Sequence, residues 1–421
     1  MASALDPFSP ATRAWFEGAF TEPTPAQAGA WEAISSGRHA LVVAPTGSGK
    51  TLSAFLWSLD RLAALPPPAE KRHRTRVLYL SPLKALGVDV ERNLRAPLVG
   101  IAQTARRLGV DVPPITVGVR SGDTPASDRR LLLREPPDIL ITTPESLYLM
   151  LTSSARETLA GVETVIVDEI HAVAATKRGA HLAVSLERLD ALLEKPAQRI
   201  GLSATVRPVE EVARFLGGQA PVTIVKPPIQ KTFDLRVVVP VEDMTELGAR
   251  GTEEQLEGDE GALQSAGSIW PHVDRAIVDE ILRHRSTIVF ANSRRLAERL
   301  TASINELYEE LETGIAPAGF PAQAVGGSGI TGATKVAAAV SETPVLARAH
   351  HGSVSKEQRA IIEDDLKSGR LRCVVATSSL ELGIDMGAVD LVIQVESPPS
   401  VASGLQRVGR AGHQVGEISK G

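Results

Sequence analysis

Leu41-Val42-Val43-Ala44-Pro45-Thr46-Gly47-Ser48-Gly49-Lys50-Thr51 is the stretch that decides the fold. Leu41, Val42 and Val43 are apolar on consecutive positions, as in strands covered on both faces by helices. An amphipathic segment, Leu52–Leu62, follows the glycines. A buried strand, a Gly-rich turn and a helix in that order make a phosphate-binding loop of the Walker A type, with Ala44 in the first Gly position. The glycines let backbone N–H groups wrap a phosphate, and the helix N-terminus adds partial positive charge. Lys50 can reach the β- and γ-phosphates, and the Thr51 hydroxyl can ligate Mg²⁺.

The same rhythm of short β-branched run, turn and helical stretch continues outward from this loop. Ala40–Ala44, Arg76–Leu80, Ile115–Val119, Asp138–Ile141, Thr164–Val167 and Arg199–Leu202 read as strands. Strands separated by helical segments imply βαβ units and an α/β fold. The rhythm pauses over Gly217–Lys231, which places a domain boundary near residue 230 and gives domains 1–230 and 231–421. It resumes with Phe233–Val239, Thr287–Ala291, Val345–Ala349, Arg372–Ala376 and Leu391–Val395. Two flexible insertions are expected in the second half, near 242–268 and 311–344. Glu242–Glu260 holds eight acidic residues and one Arg, and Gly314–Pro344 is rich in Gly and Ala.

Composition bounds the function classes. The 421 residues suit two domains, and 43% hydrophobic with 23% charged residues is an ordinary globular balance. The single cysteine, Cys373, excludes a disulfide framework and a Cys-rich zinc site. No apolar run approaches the ~20 residues a membrane span needs, so no membrane partner is expected. Met1–Pro10 has no secretory pattern, and a cytoplasmic location is expected. The net charge of −5 argues against a protein that coats nucleic acid by bulk charge.

Thr164-Val165-Ile166-Val167-Asp168-Glu169-Ile170-His171 supplies carboxylates at the end of a buried strand, where α/β sheets place their ligands. Asp168 can hold the Mg²⁺ shell, and Glu169 could orient or deprotonate an attacking water. Gln27, in Pro23-Thr24-Pro25-Ala26-Gln27, offers a donor and an acceptor that match the edge of adenine. Ser203 and Thr205 in Ser203-Ala204-Thr205 can hydrogen-bond to Asp168 and Glu169 and relay nucleotide state. Arg407 and Arg410, three apart in Gln406–His413, could stabilise charge on a transferring phosphate.

These pieces occur in a fixed order, and by them the chain resembles the superfamily 2 helicases. Along nearly its whole length it looks like the core of the Lhr (large helicase-related) family. The resemblance also rests on Ser81-Pro82-Leu83-Lys84-Ala85-Leu86, Arg120-Ser121-Gly122-Asp123 and Thr142-Thr143-Pro144-Glu145-Ser146-Leu147. In the second half it rests on Val289-Phe290-Ala291-Asn292-Ser293-Arg294, His350-His351-Gly352-Ser353 and the run from Ala376 to Asp385. The Asp-Glu-Ile-His form favours Lhr over the DEAD-box RNA helicases.

The resemblance implies two tandem RecA-like domains, each a mostly parallel sheet flanked by helices, with ATP in the cleft between them. It assigns Thr24, Gln27, Thr46, Gly47, Ser48, Gly49, Lys50, Thr51 and Asp385 to ATP. It makes Glu169, Asp168, Lys50, Arg410 and Arg407 catalytic, with Arg410 weighted most because His413 stands where related helicases often have Arg. Ser81, Arg120, Thr142, Thr143, Asn292, Ser293, His351, Thr377 and Ser378 would grip nucleic-acid phosphates. Hydroxyls and backbone N–H groups at strand ends can do this without large positive charge.

Similar proteins move 3′ to 5′ on single-stranded DNA and unwind DNA or RNA–DNA duplexes, which implies a role in DNA repair and a place near the nucleoid. An RNA helicase, or a P-loop ATPase indifferent to nucleic acid, are the alternative readings. Lhr-type proteins continue past the position of His413 into a winged-helix domain, whereas eight residues follow it here. The chain is therefore expected to be the core of a longer protein and to unwind poorly alone.

Overall fold

The computed structural model describes residues 3–45, 47–204, 206–228, 232–241, 268–314, 345–381, 389–412 and 417–421. Thr46, Thr205, Asp385 and His413 lie outside the described residues, as does nearly all of both expected insertions. The exceptions are residue 268 and residues 311–314. Of these, 311–313 end the helix Arg294–Thr313, and Gly314 caps it in a left-handed conformation.

The chain divides into two compact units. The first takes in Met1–Lys231, and the second takes in Thr232–Glu381 and most of the residues after Glu381. Unit 1 is built on β1 (His39–Val43), β2 (Val77–Leu80), β3 (Val117–Arg120), β4 (Ile139–Thr142), β5 (Thr164–Val167), β6 (Gln198–Ser203) and β7 (Val222–Val225). Their order is β3-β4-β2-β5-β6-β1-β7, and every pair is parallel.

Successive side chains on a strand point to opposite faces. Ala40, Val42 and Ala44 accordingly pack into one apolar layer with Trp31 and Phe55. Leu41 and Val43 pack into the other with Leu186 and Leu216. Burial on both faces is why these strands read as unbroken apolar runs. β7 lies inside the stretch expected to be a pause. It is a half-buried edge strand close to Pro221 and Pro227, so it lacks the apolar signature of the central strands.

Unit 2 begins with β8 (Phe233–Asp234), which pairs in parallel with Ser419–Lys420 near the end of the sequence. The strand expected over Phe233–Val239 is therefore cut to two residues. Leu235 and Val237–Val239 are exposed despite their β-propensity, Val237 almost completely. The main sheet of unit 2 contains β9 (Thr287–Phe290), β10 (Ala347–His350), β11 (Cys373–Ala376) and β12 (Leu391–Gln394). It is parallel, in the order β10-β11-β9-β12. The helices Trp270–Arg283 and Arg294–Thr313 cover it through Ile277, Ile281, Leu300 and Ile304. Both units are thus α/β, with mostly parallel sheets flanked by helices. Among the described residues no helix is long and apolar enough to cross a membrane.

At the edge where β2 and β4 begin, Asp138 is buried. Arg74 donates to it through Nε (2.7 Å) and Nη2 (3.0 Å), and Thr116 through its N–H and hydroxyl (both 2.8 Å). Arg76 lies 3.6 Å away and is itself buried. Burial alone would raise the Asp138 carboxyl. The Arg74 and Thr116 hydrogen bonds outweigh it and hold the group below its ordinary range. A carboxyl lowered by folding contributes stability above its unfolded pKa of about 3.9 and loses it as pH falls through the folded value. Asp138→Ala should cost about 3 kcal/mol in denaturant titrations at pH 7, because it leaves buried guanidinium charge without a partner. The gap between the two proteins should narrow below about pH 4.

Candidate active site

β1, β6 and β5 are neighbours, so the loop after β1, Ser203 and Asp168 emerge at the same edge of the unit 1 sheet. The loop needs its glycines. Gly47 has φ +84° and Gly49 has φ +77°, a region L side chains avoid. Gly49 caps the helix Lys50–Ala64. A Cβ on Gly49 would also lie 2.5 Å from Nε2 of Gln27.

Gln27 reaches the loop from the helix Pro25–Ser35, which starts with a reciprocal capping box. The Thr24 N–H donates to Gln27 Oε1 (2.9 Å), and the Gln27 N–H donates to Thr24 Oγ1 (3.3 Å). The Thr24 hydroxyl donates to the Ser48 carbonyl (2.9 Å). The donor-and-acceptor reading of Gln27 is therefore half engaged: its carbonyl holds the helix start while its amide nitrogen lies over Gly49. Lys50 is buried, and Nζ donates to the carbonyls of Ala44 (2.6 Å) and Pro45 (2.9 Å). Thr51 follows in the first turn, half-buried.

Asp168 and Glu169 are both buried just past β5. Tyr79 in β2, which belongs to none of the motifs, donates its hydroxyl to Asp168 Oδ2. Its ring stacks on Phe55, with centroids 5.1 Å apart. The Glu169 N–H donates to Asp168 Oδ1 (2.8 Å). Burial first, and the Glu169 carboxylate second, push the Asp168 carboxyl up to about 7. Tyr79 and Lys50 pull the other way. Two desolvated hard-oxygen acceptors, with a threonine hydroxyl in the helix turn after the phosphate loop, suit Mg²⁺, which commonly takes one or two carboxylates and completes its shell with substrate phosphates and water.

Glu169 is held at φ +42°, and its Oε2 is buried without a hydrogen-bond partner. That oxygen lies 3.5 Å from His171 Nδ1. The same nitrogen is 3.1 Å from Ser203 Oγ and accepts from the Ala204 N–H (3.3 Å). The expectation that Ser203 bonds Asp168 or Glu169 directly is corrected: its hydroxyl donates to the Ala204 carbonyl (2.8 Å), and its other contact is His171, which stands between it and Glu169.

The nucleic-acid candidates of unit 1 share this sheet edge. Ser81 is buried and donates to the Leu83 carbonyl (2.7 Å). Thr142 donates to the Arg120 carbonyl (2.7 Å). Thr143 caps the helix Pro144–Leu151 through the Ser146 N–H (3.3 Å). Arg120 is half-buried, and its Nη1 has no hydrogen-bond partner. Burial and the nearby Arg129 lower its pKa.

In unit 2 several candidates are committed to structure. Ser293 caps the helix Arg294–Thr313 through the Leu296 N–H (3.1 Å). His351 is buried with Nε2 2.5 Å from Glu298 Oε1. Asn292 donates to the Ser397 carbonyl (2.8 Å). Thr377 precedes the short helix Ser378–Leu380, with Ser378 exposed.

Arg407 is the clearest correction, since it is an internal strut rather than a side chain presented to a phosphate. Nε (3.1 Å) and Nη2 (3.0 Å) donate to Glu381 Oε2. Nη1 donates to Asn292 Oδ1 (3.0 Å) and Gln394 Oε1 (2.8 Å). The guanidinium also lies 5.2 Å from the Phe290 ring centroid. Arg410 is buried too, and its Nη2 donates to the Glu381 carbonyl (2.9 Å).

Comparison with known proteins agrees with this geometry. Residues 24–213 match the DEAD/DEAH box helicase model, and residues 333–414 match the helicase conserved C-terminal domain. The Lhr helicase/probable uracil glycosylase of Mycolicibacterium smegmatis is 66% identical over 420 residues, covering 100% of this chain and 26% of that protein. The chain is a superfamily 2 helicase core of the Lhr type. The Lhr-Core helicase of Sulfolobus acidocaldarius is 41% identical over 99% of the chain and 42% of its own length. The solved structure of Mycobacterium smegmatis helicase Lhr bound to ssDNA and AMP-PNP has a TM-score of 0.82 at 65% identity. It covers 100% of this chain and 48% of that one. This Lhr-type core therefore spans about a quarter to a half of the relatives it matches.

Arg407→Ala should destabilise the protein by about 3 kcal/mol in denaturant titrations, because the half-buried Glu381 carboxylate, Asn292 and Gln394 all lose their shared partner. A variant with full stability and a collapsed turnover would return Arg407 to the phosphate.

Proposed function

We propose that this Lhr-type core is an ATP-driven motor that tracks along single-stranded DNA. The observation that carries it is Glu169 Oε2, buried without a hydrogen-bond partner beside Asp168, with only β6 between its strand and that of the phosphate loop. ATP would draw Lys50 from its own loop carbonyls to the β- and γ-phosphates, while Gly47, Ser48 and Gly49 present backbone N–H groups. Thr51 and Asp168 would hold Mg²⁺, which supplies charge neutralisation on the phosphates when bound. Glu169 accepts a proton from water as it attacks the γ-phosphorus, and the bond to the bridging oxygen breaks so that ADP leaves. Stabilising the charge on the transferred phosphoryl group is the role the family resemblance gives Arg410.

The roles of Thr46, Thr205 and Asp385 in this scheme rest on the family resemblance. So do 3′ to 5′ movement, action on DNA or RNA–DNA duplexes by the longer protein, and work in DNA repair. DNA is favoured as the track because the relative solved at 65% identity is described as bound to ssDNA.

ATP hydrolysis should rise at least tenfold on adding single-stranded DNA and less on adding single-stranded RNA. Stimulation by RNA alone would favour the RNA helicase reading, and indifference to both would favour an ATPase that acts elsewhere. Glu169→Gln should lower turnover by about a hundredfold or more while leaving affinity for a fluorescent ATP analogue within a few fold. Unchanged turnover would remove Glu169 as the base.

A further inference from the structure

The helix Lys177–Asp190 follows the acidic pair, and its second residue, Arg178, reaches the segments after β2 and β4. Arg178 Nε donates to Glu145 Oε1 (2.6 Å), and its Nη2 donates to the carbonyl of Pro82 (2.9 Å). Pro82 adjoins Ser81, at the end of β2. Glu145 lies two residues beyond Thr143, after β4. One guanidinium therefore ties the loop after β2, which carries Ser81, to the first turn of the helix Pro144–Leu151, which Thr143 caps. Burial works against the Glu145 carboxylate, yet the Arg178 hydrogen bond keeps its pKa below the ordinary range.

The other end of this linkage is stiff. Glu169 and Ile170 lead into the short helix His171–Ala174. The Thr176 hydroxyl donates to the Val173 carbonyl (2.7 Å) and accepts from the Gly179 N–H (3.1 Å). Gly179 packs so tightly that a Cβ there would lie 2.1 Å from the Val173 carbonyl oxygen. A displacement at Glu169 or His171 thus carries the start of the next helix with it, and Arg178 rides on that start. A lysine in its place would offer one compact charge to two separated acceptors, whereas the guanidinium fork serves both at once.

We infer that Arg178 is a positioning residue that couples the nucleotide site to the single-strand grip of unit 1. This rests on the motor reading above. Arg178 and Glu145 are about half exposed, at 45% and 55%. Exposed ion pairs contribute little to stability, so Arg178→Ala should fold normally.

The test measures the affinity of the purified protein for a labelled single-stranded oligonucleotide, with and without AMP-PNP. Basal ATP hydrolysis without DNA is measured alongside. In Arg178→Ala the factor by which AMP-PNP changes DNA affinity should shrink at least fivefold, with basal kcat and KM for ATP within twofold of the unaltered protein. Arg178→Lys should resemble Arg178→Ala more than the unaltered protein. A coupling factor in Arg178→Ala within twofold of the unaltered protein overturns the inference. So does a fall in basal hydrolysis proportional to the loss of coupling, which marks general damage. An unaltered protein that binds no single-stranded DNA sinks the motor reading itself. Intact DNA binding with intact coupling in the variant sinks this inference alone.

Discussion

The pairing of β6 between β1 and β5 is the constraint on which the site depends. Ile200 is in register with Ala40 on one side and with Ile166 on the other. Neighbouring strands lie about 4.8 Å apart, so the ends of β1 and β5 are held about 10 Å from each other. Neither loop sets that separation. It comes from backbone hydrogen bonds in the middle of a sheet buried on both faces, among the stiffest arrangements a protein offers. The phosphate loop and the acidic pair can therefore be built from short turns, and Lys50 is close enough to act on the Asp168 carboxyl through space.

Most of the central sheet was legible because burial on both faces leaves a plain mark, a run of apolar residues bounded by turn formers. Where the burial is partial the mark fades. β7 is a half-buried edge strand, and nothing in Val222–Val225 separates it from a loop flanked by prolines. The converse error arose at Val237–Val239, where β-branched residues suggested a strand and the side chains stand in water. Propensity reports what a residue tolerates, and pairing decides what it does.

The site was legible in its motifs and opaque in its contacts. Lys50, Asp168 and Glu169 could be named as candidates because each follows shortly after an apolar run that reads as a buried strand. Tyr79 could not, since its partner Asp168 is 89 residues away and a tyrosine inside a strand reads as core. Arg407 and Arg410, three residues apart, both read as phosphate contacts, with Arg410 weighted more. Arg407 is claimed by Glu381, Gln394 and Asn292, which come from three separate segments of unit 2. The net charge of −5 speaks only against coating nucleic acid by bulk charge. The proposed grip of hydroxyls and backbone amides needs no excess of lysine or arginine.

Glu169 is one of two non-glycine residues at positive φ among those described. For an L-residue that conformation costs about 1 kcal/mol, and glycine would occupy it freely. Any optimisation that scores only folding, in a laboratory or by sequence design, would be rewarded for discarding this carboxylate. Holding the proposed base in so awkward a backbone gives up stability for the placement of one carboxylate. A thermostabilised version of this core would have to protect that one position by rule.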